Sequence, residues 1–158
     1  MKKKIYWLSL LFFIIDLISK QIIIQLIDLG DSVKIVSKFF YLTYVRNEGA
    51  AFSILQNKQI LILLITVFAL FFINKHLNSD KIDKLESFSY SMIIGGILGN
   101  LLDRLIYGYV IDFLDFRIFG YHYPVFNFAD CFIVIGIIIL MIYTFIKEKK
   151  DGSKKWYK

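Results

Sequence analysis

Cysteine, proline and charged residues are all scarce in this chain, and each scarcity excludes a class of protein. The single cysteine, Cys131, excludes an internal disulfide framework, and a single proline leaves long segments uninterrupted. Only 20% of the 158 residues are charged, whereas 58% are hydrophobic. A soluble domain has about a quarter charged residues and about half apolar ones. Because Ile, Leu and Phe come in long runs, the sequence indicates one integral membrane domain, residues 1–158.

Two further absences narrow the chemistry. The sequence has no His-Glu-x-x-His motif, and His76 and His122 fall on opposite sides of the predicted membrane, which argues against a metalloprotease. No Gly-rich phosphate loop follows a predicted strand. The net charge of +6 would suit nucleic acid, but the basic residues lie at the chain ends and between apolar runs, as in the control of membrane topology. We therefore expect no metal, no cofactor and no nucleic-acid partner.

Four segments approach the roughly 20 apolar residues that a transmembrane helix needs. They are residues 5–27, 59–73, 88–107 and 128–146. The first is not a cleaved signal peptide, because it is long, lacks a small-x-small cleavage site and contains Asp16 and Lys20. The sequence therefore predicts a membrane all-α core of four transmembrane helices, followed by a disordered tail over residues 147–158.

The basic residues predict the orientation of these helices. Twelve of the 19 lie at the N-terminus, between the second and third spans, or in the tail, and five lie in the two other connections. Both termini should therefore be cytoplasmic, with residues 28–58 and 108–127 outside. The first outer connection is rich in Val, Ile, Phe, Tyr and Thr, which predicts two or three short strands in a small sheet at the outer membrane surface.

Polar residues inside the first and third spans need partners, because charge is costly in a membrane. Asp16 and Lys20 are spaced i and i+4 on one helix face, which favours a structural ion pair over an active group. In the third span, Gly96, Asn100 and Arg104 form one stripe. This stripe either packs against another helix through its glycine or faces a ligand.

The stretch VIDFLDFRIFGYHYPVFNFAD follows the third span and opens the fourth. Asn127 is suited to cap the fourth helix, and Asp130 lies in its first turn. If the third and fourth spans pack antiparallel, Asp112 and Asp130 reach the same level near the outer surface. Two close carboxylates share a proton, as in an aspartic protease. Spacing alone does not exclude Asp115 as the partner of Asp130.

Five pieces of the sequence resemble one family, the lipoprotein signal peptidases, or signal peptidases II. In chain order they are DLISK, NEGAAF, GGILGNLLDR, VIDF and FNFAD, and they span most of residues 5–148. The resemblance implies that the catalytic aspartates are Asp112, in the V-x-D-F motif, and Asp130, in the F-N-x-A-D motif. It further implies residues that bind substrate or orient the aspartates, namely Asn47, Gly49, Asn100, Arg104 and Asn127. Structural support would come from Asp16, Lys20, Gly96, Asp103 and Ala129.

The same resemblance implies a substrate and a place in the cell. The family cleaves the signal peptide of a prolipoprotein before a cysteine that carries diacylglycerol, so the expected partners are a lipidated prolipoprotein and membrane lipid. We expect a monomeric, multi-pass enzyme in the bacterial cell membrane with its active site at the outer face. Two other interpretations stay open from the residues: a small proton-linked membrane transporter, and a non-enzymatic membrane scaffold whose charges are structural.

Overall fold

The structure is a computed structural model that describes residues 2–49, 58–79 and 82–155. These residues form four helices and one small antiparallel sheet. The helices are α1 (Lys2–Leu26), α2 (Gln59–Ser79), α3 (Lys84–Tyr107) and α4 (Phe128–Lys155). The strands are β1 (Ser32–Val36), β2 (Phe40–Asn47), β3 (Val110–Ile118) and β4 (Tyr121–His122).

Three of the described helices are long and apolar enough to cross a membrane, over Lys2–Leu26, Gln59–Asn78 and Phe128–Lys149. Their outward faces carry large apolar side chains, and Trp7 and Phe145 are 72% and 69% exposed. A soluble monomer rarely exposes such continuous apolar surface, whereas lipid tails cover it without cost. The chain is therefore a multi-pass membrane protein, as the sequence predicts.

Helix α3 corresponds to the predicted third span but is less apolar than the other three. It packs between α1 and α4, and its buried residues include Ser87, Ser89, Ser91, Asn100 and Asp103. Because protein rather than lipid surrounds much of this helix, it needs fewer large apolar side chains. Its polarity is therefore that of a central helix with internal partners.

Glycines in α3 and α4 let the three helices come close. A Cβ on Gly95 would lie 2.7 Å from the Ser9 carbonyl oxygen of α1, and one on Gly136 would lie 2.9 Å from the Ser89 carbonyl oxygen of α3. A Cβ on Gly96 would overlap the carbonyl oxygen of Ala129. These contacts make α1 and α3 parallel and α3 and α4 antiparallel, which is the packing that the site prediction needs.

Polar contacts hold the end of the bundle that lies away from the sheet. Lys2 Nζ donates to Asn78 Oδ1 at 2.9 Å, which joins the start of α1 to the end of α2. Lys147 Nζ lies 3.2 Å from Asp83 Oδ2, just before α3, and the Tyr143 hydroxyl donates to the same carboxylate. The start of α1 and the C-terminal part of α4 thus lie at one end of the molecule.

The sheet has the strand order β1-β2-β3-β4, and it lies at the opposite end. Strands β1 and β2 come from the first outer connection, as predicted, but β3 and β4 come from the second one, where the sequence analysis predicts no strand. Helix α3 ends at Gly108, whose φ of 80° reverses the chain and whose N–H donates to the Arg104 carbonyl oxygen at 3.2 Å. Asp112 therefore lies on a strand, opposite Val45 of β2, and not at the end of the third helix.

All four helices are longer than the hydrophobic pattern predicts, and the difference is largest for α2 and α4. Helix α2 continues to Ser79 rather than ending near residue 73, and α4 continues through Lys155, where the sequence predicts a disordered tail from residue 147. Lys and Glu are good helix formers, so a polar segment that follows a formed helix extends it readily. The ion pair of Lys147 also anchors the first part of this extension.

Candidate active site

Asp112 is a buried carboxylate whose two oxygens both accept hydrogen bonds from asparagine side chains. It is 2% exposed. Its Oδ2 accepts Nδ2 of Asn47 at 2.9 Å, and its Oδ1 accepts Nδ2 of Asn127 at 2.6 Å. Asn47 ends strand β2, and Asn127 immediately precedes α4. The carboxylate is thus held between the sheet and the start of the fourth helix.

Asp130 lies in the first turn of α4 and has an equivalent set of donors. Its Oδ1 accepts Nδ2 of Asn100 at 2.8 Å, and its Oδ2 accepts the backbone N–H of Asn127 at 3.3 Å. Asn127 caps the helix as predicted, because its Oδ1 accepts the backbone N–H of Asp130 at 3.0 Å. Asn127 therefore contacts both aspartates, Asp112 through its amide group and Asp130 through its backbone and its amide oxygen.

The orientation of each asparagine amide follows from what its oxygen accepts. Asn47 Oδ1 accepts the N–H of Gly49 at 3.0 Å, Asn127 Oδ1 accepts the N–H of Asp130, and Asn100 Oδ1 accepts Nζ of Lys20 at 3.0 Å. An asparagine amide has one acceptor end and one donor end. With all three oxygens engaged elsewhere, the three NH2 groups face the two carboxylates.

A buried group of three charges lies behind Asn100. Lys20 Nζ is 2.7 Å from Asp16 Oδ2 and 2.9 Å from Asp103 Oδ2, and all three side chains are at most 3% exposed. The predicted Asp16–Lys20 pair is therefore present, with Asp103 as a second acid. Buried charges persist when they are paired and hydrogen-bonded, which supports the structural interpretation of all three residues.

Asp16 and Asp103 also hold the backbone beside each aspartate. Asp16 Oδ1 accepts the backbone N–H of Ala129 at 2.8 Å, in the first turn of α4. Asp103 Oδ2 accepts the backbone N–H of Ile111 at 3.1 Å, one residue before Asp112. Sequence reasoning missed both contacts, because neither leaves a periodic signal. The sequence offers one signal for Asp103, which lies three residues after Asn100 and so shares its helix face.

The stripe on α3 reaches three different neighbours. Gly96 allows the close approach of Ala129, and Asn100 contacts Asp130. Arg104 Nη2 donates to the carbonyl oxygen of Gly49 at 3.0 Å. Arg104 therefore fixes the end of the β2 segment above the aspartates. Ala50, Ala51 and Phe52 of the NEGAAF piece lie outside the described residues.

Asp115 belongs to a different cluster. It is three residues from Asp112 on the same strand, so the two side chains point to opposite faces of the sheet. Asp115 Oδ2 accepts the Thr43 hydroxyl at 2.9 Å and lies 2.9 Å from Arg117 Nη2. Sequence spacing left open whether Asp112 or Asp115 is the partner of Asp130, and the geometry places only Asp112 beside Asn127.

The environment of Asp112 favours its protonated form. Burial raises the pKa of this carboxyl, and the negative charge of Asp130 raises it further. The amides of Asn47 and Asn127 and the charge of Lys20 oppose this effect, and the resulting pKa is about 7. Asp112 can therefore both hold and release a proton near neutral pH.

Comparison with known proteins agrees with these features. The chain matches the family described as signal peptidase (SPase) II over residues 8–146. It is 43% identical to the lipoprotein signal peptidase of Haemophilus ducreyi, with 93% of this chain and 94% of that relative covered.

Two solved structures, each described as a bacterial membrane enzyme, are similar with TM-scores of 0.86 and 0.81 at 32% and 33% identity. The similarity covers 96% and 91% of this chain and 92% and 93% of those two chains. Taken with the match along residues 8–146, the likeness extends over the helices, the sheet and all the residues around the two aspartates. The chain belongs to the signal peptidase II family of membrane proteases.

Proposed function

We propose that this chain is an aspartic endopeptidase that removes the signal peptide of diacylglyceryl-modified prolipoproteins and cuts before the lipidated cysteine. Membership of the signal peptidase II family and a relative named lipoprotein signal peptidase support the substrate. One observation carries the aspartic mechanism: the buried carboxylate of Asp112 and the half-buried carboxylate of Asp130 are both held by the same residue, Asn127. A shared, partly desolvated environment of this kind makes one proton serve two carboxyl groups.

In this mechanism the two aspartates activate water and the scissile amide together. The ionised carboxylate takes a proton from a water molecule, whose oxygen forms a bond to the carbonyl carbon. The protonated carboxyl donates its proton to the carbonyl oxygen, so no free oxyanion forms. On collapse of the tetrahedral intermediate, the now ionised carboxylate takes a proton from one of its hydroxyl groups as the carbonyl re-forms. The C–N bond breaks, and the nitrogen leaves as an amine with the proton of the other carboxyl group, so the dyad returns to one shared proton.

The asparagines support this chemistry by orienting the carboxylates. Asn47, Asn100 and Asn127 each direct an NH2 group at an aspartate, so the acid–base pair is organised before substrate binds. Arg104 and Gly49 position the end of the β2 segment.

The position of the dyad suits a substrate that is anchored by lipid. Asp130 lies in the first turn of α4, and Asp112 lies on the strand that follows the end of α3. Both are therefore at the sheet end of the bundle, near the end of the apolar spans. A diacylglyceryl group held in the bilayer places its cysteine at the membrane surface, level with these carboxyl groups.

We further propose that α3 is the fourth membrane span, that both termini are cytoplasmic and that the sheet lies on the outer face of the bacterial cell membrane. The distribution of basic residues supports this orientation. The start of α1 and the C-terminal part of α4 lie at the same end of the bundle, which is consistent with this orientation. One chain contains the whole dyad, which supports a monomeric enzyme.

The two other interpretations account for the geometry less well. A proton-linked transporter needs ionisable groups along a path across the membrane, whereas the buried ion-pair group of Asp16, Lys20 and Asp103 lies in the half of the bundle nearer the sheet. A non-enzymatic scaffold gives no reason for a hydrogen-bond donor at each of the four carboxylate oxygens of Asp112 and Asp130. The arrangement around Asn127 therefore favours proteolysis.

Cleavage by purified protein tests the proposal. A prolipoprotein bearing diacylglyceryl-cysteine should be cut immediately before that cysteine, and the same prolipoprotein without the lipid should be cut far more slowly. Inactivation by a metal chelator or by a serine-directed reagent would contradict the aspartic mechanism. Absence of cleavage by folded protein, under conditions in which the Haemophilus ducreyi relative cleaves, would contradict the substrate assignment.

A further inference from the structure

Lys20 has three oxygen atoms close to its ammonium group. Its side chain is 1% exposed, and Nζ lies 2.7 Å from Asp16 Oδ2 and 2.9 Å from Asp103 Oδ2, which form ion pairs with it. The third neighbour is Asn100 Oδ1, which accepts a hydrogen bond from Nζ at 3.0 Å. An ammonium group has three donors and no acceptor, so it must face acceptors on every side. The two carboxylates explain a structural ion pair, but they do not explain why the third acceptor is a neutral amide.

The amide of Asn100 has only one orientation that satisfies both of its neighbours. With Oδ1 toward Lys20, its Nδ2 donates to Asp130 Oδ1 at 2.8 Å. The reversed amide would place an NH2 group against the ammonium and a carbonyl oxygen against the Asp130 carboxylate. A buried donor left without an acceptor is costly, and more so when the donor is charged. Lys20 therefore selects the observed orientation.

We propose that Lys20 is a positioning residue for Asp130, because it fixes the Asn100 amide and so commits its NH2 group to the Asp130 carboxylate. The proposal rests on the proposed function only in assigning Asp130 to the catalytic pair. Without Lys20, the amide turns over for part of the time and presents its oxygen to Asp130. Only a protonated carboxyl can donate to that oxygen, so Asp130 then keeps its proton to higher pH.

Other groups around Asp130 act in parallel. Asn127 Nδ2 also lies 3.1 Å from Asn100 Oδ1, but it has two hydrogens for three acceptors, and the shortest contact goes to Asp112. A neutral donor also binds less strongly than an ammonium. The titratable and charged groups that surround Asp130 are Asp16 and Lys20 of α1, Asp103 and Arg104 of α3, Asp112 of β3 and Cys131 of α4. Because Lys20 also acts through its charge, the test must separate charge from amide orientation.

A double-mutant cycle makes this separation. The paired change of Lys20→Met with Asp16→Asn removes one positive and one negative charge, and Asn100→Leu removes the amide at similar volume. The protonation of Asp130 is followed through the infrared carbonyl band of its protonated carboxyl, which is assigned by its loss in Asp130→Asn. We expect the paired change to raise the pH midpoint of this band by about one unit when Asn100 is present. With Leu at that position, the shift should be much smaller.

Cleavage gives a second readout. In the paired variant the acidic limb of the pH profile should move upward with the infrared midpoint, whereas a purely structural defect would lower the whole profile without moving the limb. The infrared titration needs no activity, so failure of the proposed function, seen as no cleavage by the unmodified chain, stays distinct from failure of this proposal.

Two results would overturn the role of Lys20: equal shifts with and without Asn100, which would mean that charge alone acts, or no shift in either. If the paired variant does not fold, the same cycle is run with Lys20→Met alone, with Asn100 and with Asn100→Leu. A shift of the Asp130 midpoint that is much smaller with leucine supports the proposal, and an equal shift in both backgrounds contradicts it.

Discussion

Asparagine, rather than aspartate or alanine, is required at three positions around the two carboxylates because each position needs an acceptor on one side and a donor on the other. Asn47, Asn100 and Asn127 each accept at least one N–H and donate an NH2 group to Asp112 or Asp130. An aspartate there would direct negative charge at negative charge, and an alanine would leave a buried oxygen without a donor. The residue type thus follows from the chemistry of its neighbours.

Asn127 should be the most sensitive of the three, because it contacts both aspartates. Replacing it by alanine removes a cap of α4 and a donor to Asp112, and hydrogen bonds to charged groups are worth about 1.5–3 kcal/mol each. We expect cleavage of lipidated prolipoprotein to fall by about 10²-fold or more. Asn78→Ala, at the opposite end of the bundle, is the matched control and should keep nearly full activity. Equal effects of the two changes would contradict the bridging role.

The pKa of Asp112 predicts how stability depends on pH. Folding raises this pKa from 3.8 to about 7, so between these values the native state binds a proton that the unfolded state has lost. Stability contributed by Asp112 is therefore fully present below about pH 4 and is lost as pH rises through about 7. The carboxyl is destabilising when ionised, which is consistent with the acid–base role proposed for Asp112.

Asp112→Asn removes this dependence. Relative to the unmodified protein, the variant should gain up to about 4 kcal/mol of unfolding free energy between pH 4 and pH 8, since each pH unit is worth about 1.4 kcal/mol. A constant penalty accompanies it, because an asparagine at this position meets the NH2 groups of both Asn47 and Asn127. Thermal melts in detergent across this pH range measure the difference. A difference in Tm that does not change with pH would contradict the raised pKa.

At the scale of elements, the site depends on where α3 ends and α4 begins. Gly108 ends α3 and starts the turn into β3, which pairs with β2 and holds Asp112 opposite Val45. Helix α4 starts against α1, where Asp16 accepts the N–H of Ala129. Gly99 leaves the space that the Asp16 carboxylate fills. Both aspartates reach Asn127 because both junctions are fixed by contacts distant in the sequence.

Asp16 should accordingly act on stability more than on chemistry. Asp16→Ala leaves Lys20 with one acid and the N–H of Ala129 without its acceptor, and breaking a buried ion pair costs about 3–5 kcal/mol. We expect a clear loss of Tm and yield, with turnover of the surviving folded protein reduced much less. Asp16→Asn retains an acceptor for Ala129 and should lose less stability. Full stability combined with complete loss of cleavage would instead assign Asp16 to the reaction.

The hydrophobic runs and turn residues are sufficient to predict the helices and the β1–β2 hairpin, because these depend on local patterns. They do not predict β3, since VIDFLDFRI is a strand only when β2 lies beside it. Likewise the motif residues can be identified as a group, but the sequence does not predict how the asparagine amides among them are oriented. The amide of Asn100 depends on Lys20, which lies far away in the chain, and that of Asn47 depends on the backbone of Gly49, which belongs to no periodic pattern. The hydrophobic pattern underestimates the length of α4, because the C-terminal part of this helix is polar and lies beyond the apolar span.

At the scale of the whole molecule, charge and apolar surface together define how the chain sits in a membrane. The lipid-facing helices carry exposed apolar side chains, whereas the basic residues concentrate at the end opposite the sheet. Charged groups within the spans are paired inside the bundle, where Lys20 contacts Asp16, Asp103 and Asn100. The proposed catalytic pair is therefore expected where the bundle meets the outer water layer.

Cysteine labelling tests this orientation. In a variant whose Cys131 is replaced by serine, a cysteine at Lys34 of β1 should react with a membrane-impermeant thiol reagent in intact spheroplasts. A cysteine at Lys149, near the C-terminal end of α4, should react only after the membrane is permeabilised. This expectation follows from the excess of basic residues in the segments predicted to be cytoplasmic. Labelling of the Lys149→Cys variant in intact spheroplasts would reverse the topology and place the aspartates on the cytoplasmic side.

The most direct test of the account is cleavage of a lipidated prolipoprotein by folded, purified Asp112→Asn and Asp130→Asn variants. Each change keeps the shape of the side chain but removes a carboxyl that can exchange the proton. We expect either variant to lose at least about 10³-fold in cleavage rate, and the double variant to be little worse, because the two residues act as a unit. Asp115→Asn, the matched control on the same strand, should retain far more activity. Substantial turnover by either dyad variant, or equal loss in Asp115→Asn, would contradict an aspartic mechanism at Asp112 and Asp130.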